Sequence, residues 1–127
     1  MPNPVAVVNA WAKAQSTVTA ICGTRISYRL TGTYPAIRLA DIGPVERAPG
    51  ERASRVQVEC WADDYDTSVA LAAAVDAAVE DGTLRGTWAS APCSGGAVVF
   101  GPMAMPDPES TKFRQQLDLE LWLYPTE

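Results

Sequence analysis

The chain has 127 residues, 47% hydrophobic and 20% charged, which suits one domain with its own core and leaves disorder aside. Its formal charge of −5, with no histidine, disfavours ordinary nucleic-acid binding and removes every Ser–His or Cys–His catalytic arrangement. Three scattered cysteines (Cys22, Cys60, Cys93) without a CxxC fit buried, reduced thiols in a cytosolic setting better than a disulfide framework.

The first predicted element is a helix in NPVAVVNAWAKAQ. Asn3 caps it, Pro4 takes the first helical position, and Val7, Val8 and Trp11 form its buried stripe. The apolar run Val5–Ala12 has no basic residue before it and contains Asn9, unlike a signal peptide. No stretch approaches the roughly 20 apolar residues that span a bilayer, so a soluble protein without membrane contact is expected. Ser16 caps a second short helical turn, which Gly23 ends.

Short strands are expected at RISY and, starting from Pro35, at PAIRLADIG. The segment GPVERAPGERAS combines Gly43, Pro44, Pro49 and Gly50 with charged residues. It is longer than an ordinary hairpin loop, so it predicts a projecting arm or mobile loop over about 43–54. In RVQVECWA, Val56, Val58 and Cys60 alternate with Arg55, Gln57 and Glu59, the pattern of a half-buried strand. After Asp63, Asp64 and Asp66 the spacing turns helical, with Leu71, Ala74, Val75 and Ala78 on one side, ending near Glu80–Gly82. A weak strand surrounds Trp88, PCSGG is a flexible break, AVVFGPMAM is a strand and PDPES a turn. The last segment, KFRQQLDLELWLYP, alternates strictly: Leu117, Leu119, Leu121 and Leu123 oppose Gln116, Asp118, Glu120 and Trp122. The fold class that follows is α+β, a mainly antiparallel sheet with helices packed on one face, as a single domain over 1–127.

The chemistry of these residues is sparse. The acidic knot lacks the alternating oxygen ligands and distant Glu of an EF-hand loop, so Asp63 or Asp66 is read as a helix cap. Asp118 and Glu120 share a strand face without marking an acid–base pair. No Walker or GxGxxG spacing occurs. Met103 and Met105 suit either core filling or a soft contact surface. No catalytic residue, metal ligand or cofactor site is expected.

Read in order, VAVVNAWAKAQSTVTAICGTRIS, YPAIRLADIG, RVQVECWADDYDTSVALAAAV and MPDPE before a final amphipathic strand resemble the tail terminator (tail completion) proteins of long-tailed bacteriophages. The resemblance spans nearly the whole chain and contains no catalytic signature. It implies a non-enzymatic virion protein at the head–tail junction, assembled in the host cytoplasm. Such a protein forms a homohexameric ring that caps the tail tube, meets the head-side connector and lets genomic DNA pass without specific binding. On this reading Val45, Glu46, Arg47, Glu51, Arg52, Met103 and Met105 are expected at subunit or partner interfaces. Asp118 and Glu120 are expected on an acidic channel wall. The alternatives are another neck component, such as a head-closure or tail-tube subunit, and a small ligand-binding or enzymatic α+β domain.

Overall fold

Helix α1 (Pro4–Lys13) begins where the Asn3 carboxamide accepts from the backbone N–H groups of Val5 and Ala6, with Pro4 in the first turn. A computed structural model describes residues 3–48 and 51–124 of the chain, the side chains of 45–48 and 51–52 excepted. Helix α1 buries Val7, Val8, Trp11 and Ala12, and the Trp11 indole N–H reaches the Thr83 hydroxyl at 3.0 Å. Helix α2 (Ser16–Cys22) has Gln15 at its N-cap, with no side-chain cap, so the expected Ser16 cap does not form. Gly23 ends it at φ 61°, a conformation that favours glycine.

Strand β1 (Ile26–Ser27) lies parallel to the start of β2 (Ala36–Ala48). Strand β2 turns back into β3 (Glu51–Ala62), which leads to helix α3 (Tyr65–Glu80). Strands β4 (Gly86–Trp88), β5 (Ala91–Ala104) and β6 (Phe113–Leu123) complete the chain. They form one six-stranded sheet in the order β1-β2-β3-β6-β5-β4, antiparallel except for β1 against β2. The fold is α+β.

The core lies between the sheet and its helices. Val56, Val58 and Cys60 of β3 stand opposite Leu119, Leu117 and Gln115 of β6. The buried Val56, Val58, Cys60, Leu117, Leu119 and Leu121 share one cluster with Val7, Val8 and Trp11 of α1 and Leu71 and Val75 of α3. The alanines of α3 bring its backbone close: Ala72 and Ala78 are buried and Ala74 packs against the cluster. Fully burying each leucine or valine is worth about 1.5–3 kcal/mol, which is why these two periodic strands define the interior.

Two segments carry more strand than the sequence reading gave them. In the arm expected over about 43–54, residues 43–48 and 51–54 are strand. Strands β2 and β3 stay paired through Gly43↔Arg55, Pro44↔Ser54, Val45↔Ala53, Glu46↔Arg52 and Ala48↔Glu51. A bulge between Asp41 and Gly43 absorbs the irregularity: Gly43 takes φ 104° and its N–H donates to the Asp41 carboxylate at 2.9 Å. The side chains of Val45, Glu46, Arg47, Glu51 and Arg52 lie outside the described residues.

PCSGG is not a break but part of β5, with a bulge between Cys93 and Gly95. Gly96 is needed there because a methyl group would sit 2.5 Å from Leu84 Cδ2 and 2.7 Å from the Glu120 carbonyl oxygen. Close approach to β6, not flexibility, accounts for the glycine.

Candidate assembly surface

The sheet face opposite the helices carries the other half of each alternating pattern. Across β3 and β6 the pairs are Ala53↔Trp122, Arg55↔Glu120, Gln57↔Asp118, Glu59↔Gln116 and Trp61↔Arg114. Although polar, this face is not freely solvated. Glu59, Trp61 and Glu120 are buried, and Glu59 is the hub.

The Glu59 carboxylate accepts from Arg38 Nη1, Gln57 Nε2 and the Trp61 indole N–H, each at 3.1 Å, and from Arg114 Nη1 at 3.5 Å. Arg114 is held in place twice more. Its Nε donates to the Met105 carbonyl at 2.9 Å, and its guanidinium lies 5.2 Å from the Trp61 ring centroid. One acid thus ties β2, β3 and β6 together on the uncovered face, and a buried charge needs this number of donors to be tolerated.

Along the same face lie Asp118 and Glu120, the two residues expected on a channel wall. Glu120 is only 1% exposed and has a partner; it stands opposite Arg55 of β3 on one side and Ala97 of β5 on the other. In the protomer Glu120 is therefore a buried residue, not one on a solvated face. Asp118 is half-buried, and desolvation pushes its carboxyl above the ordinary value, against the lowering effects of Gln116 and Arg55. One oxygen of Asp118 and Nε of Arg55 are buried without a hydrogen-bond partner.

The acidic knot splits into separate roles. The cap of α3 is Asp64, not Asp63 or Asp66: its carboxylate accepts from the Thr67 N–H and hydroxyl, both at 2.8 Å, which holds its pKa below the usual carboxylate value. Asp63 pairs with Lys112, whose ammonium also lies 5.2 Å from the Tyr34 ring centroid; the hydrogen bond from Lys112 to Asp63 raises the lysine pKa. Asp66 sits in the first helical turn, where a negative charge suits the helix dipole. Among the described residues no group of three or more His, Cys, Asp or Glu is placed to hold a metal ion. Cys22, Cys60 and Cys93 are free and buried, and burial raises all three thiols. Among the described residues no helix is long and apolar enough to cross a membrane.

Among the exposed apolar residues, two groups stand out. Tyr65 and Phe113 meet edge to face at 6.2 Å, beside Val69 one turn along α3. On β5, Val99, Phe100 and Met103 are 41%, 37% and 50% exposed; Met105 is half-buried, its N–H donating to the Arg114 carbonyl at 2.9 Å. The sequence reading singled out Met103 and Met105 but missed Val99, Phe100 and the Glu59 hub. Trp61, two residues from Glu59 on the same strand face, was the available signal: a large ring beside an acid is unusual for a plain solvated surface.

No family model and no curated protein matches the chain. In three dimensions it is similar to a chain of a solved structure described as "Virion of native gene transfer agent (GTA) particle". The TM-score is 0.68 at 16% identity, covering 93% of this chain and 91% of that chain, so the likeness is one of fold over nearly the full length of both.

Proposed function

We propose that this protein is a non-enzymatic structural component of a phage-like virion. More specifically, it is a tail terminator, whose ring of copies caps the tail tube and meets the head-side connector. The observation that supports the virion part of this reading is the fold likeness to a virion chain over nearly the whole of both molecules. The order of segments that resembles tail terminators is consistent with it. On the helix-free face, Arg38, Gln57, Trp61 and Arg114 are engaged with Glu59 in a network that joins three strands, which suits a structural role. DNA would pass through the ring without specific binding, in keeping with the formal charge of −5.

Native mass measurement and negative-stain imaging of the purified chain test the ring, with closed hexamers as the expected result. Mixing with the cognate tail-tube protein tests the role. A terminator binds tube ends and stops their growth, whereas open-ended tubes made by this chain alone would identify a tube subunit instead. A chain that stays monomeric at every concentration and on tube ends overturns the proposal.

A further inference from the structure

Two long strand edges of this sheet are open. Among the described residues, β1 covers β2 only at Ile37 and Arg38, leaving Leu39–Ala48 unpaired on the outer side. At the other side, β4 covers β5 only at Ala91, Pro92 and Cys93, leaving 94–104 unpaired. An open edge is a row of backbone donors and acceptors that another chain can complete. Both edges carry exposed apolar side chains: Ile42 on β2, and Val99, Phe100 and Met103 on β5. Pro44 and Pro102 each remove one donor, and bulges bend both edges, devices that limit pairing with arbitrary strands.

We infer that the open edge of β5 in one copy pairs with the open edge of β2 in the next, making the sheet continuous from copy to copy. The occupant follows from strand direction. Strands β2, β3, β6 and β5 are adjacent and successively antiparallel, so β5 runs opposite to β2. A neighbour that keeps the same strand direction therefore offers its β2 to β5 in the antiparallel sense, continuing the alternation. The surfaces that meet are different, as a ring requires.

The open stretch of β2 reaches past the end of β6 at Leu123, whereas that of β5 reaches to the level of Gln115. The two stretches overlap over the levels of Leu117 to Trp122, and matching their full lengths would stagger neighbours along the strands, the offset by which a sheet closes into a barrel. Beside Asp41 on the β2 edge, an open groove of about 480 Å³ is lined by Asn3, Pro4, Val5, Tyr28 and Asp41. It gives room to side chains that alternate onto that side of an added strand.

This inference rests on the ring reading but fails separately from it. Ile42→Cys is combined in turn with Val99→Cys, Phe100→Cys and Met103→Cys in the full chain, whose native thiols are buried. Facing residues across an antiparallel pair stand about 5 Å apart between Cβ atoms, within disulfide reach. After oxidation of the assembled protein, at least one pairing gives a ladder of covalently joined copies, and no single-cysteine variant gives a dimer. Intact rings without a joined pair overturn the β5–β2 contact and leave the ring standing. Dimers from a single variant show a two-fold contact and overturn the inference. A chain monomeric at every concentration overturns both.

Discussion

Replacing Glu59 by alanine tests whether one carboxylate holds the uncovered sheet face together. The substitution strands four donors. The buried Trp61 indole N–H loses its acceptor at 3.1 Å, which costs about 1–3 kcal/mol. Arg38, its side chain 40% exposed, turns to water and adds at most about 1 kcal/mol. Arg114 keeps the Met105 carbonyl and the Trp61 ring but becomes a half-buried cation without a counter-charge. The total is about 3–5 kcal/mol, the usual cost of removing one partner from a buried pair, and a large part of the 5–15 kcal/mol typical of a domain. Glu59→Gln keeps one acceptor oxygen while aiming an NH2 group at other donors, so its loss is smaller than that of alanine. The assay is urea unfolding followed by tryptophan fluorescence, at one protein concentration because self-association adds stability by mass action. The m-value should stay constant. A loss below about 1 kcal/mol, the range of an exposed ion pair, refutes the hub.

Four further outcomes are expected. Leu119→Asp puts an unpaired charge into the buried cluster and unfolds the protomer by circular dichroism; a variant that melts like the parent overturns the face assignment of β6. Asp118 has a raised folded pKa, so the native state retains a proton that the unfolded chain has released, and stability falls as pH rises through the window above the ordinary carboxylate value. Asp118→Asn should remove that fall and be the more stable form at neutral pH in melts against pH. Asp64 has the opposite sign: its lowered pKa contributes stability at neutral pH that is lost as pH drops below the ordinary value, so Asp64→Ala lowers the neutral melting temperature and converges with the parent in acid. The three cysteines should resist a thiol reagent in native protein and all react after denaturation, since each is buried with a raised pKa; a fast-reacting native thiol refutes their inert packing.

Local pattern alone determined a good deal of this protein. Asn3 and Pro4 start α1 because capping chemistry acts within a few residues, and the Val56–Cys60 and Leu117–Leu121 alternations select the core face because period two leaves no other side for them. The same reasoning reached the right place at the acidic knot but chose the wrong acid, since which carboxylate caps depends on the backbone entry angle at Asp64 (φ −130°, ψ 158°). What only the tertiary structure decided involves partners distant along the chain. Glu59 meets donors from Arg38 and Arg114, Glu120 is buried on the helix-free face, and Gly96 is dictated by Leu84 and the backbone of β6. Alternation states which side of a strand a residue takes but not how a curled sheet shields that side, so a charge on the uncovered face reads as wet until its neighbours are placed. Open edges are set in the same way: whether β2 and β5 keep unpaired backbone depends on where β1 and β4 stop, a matter of sheet order and register that no single strand encodes.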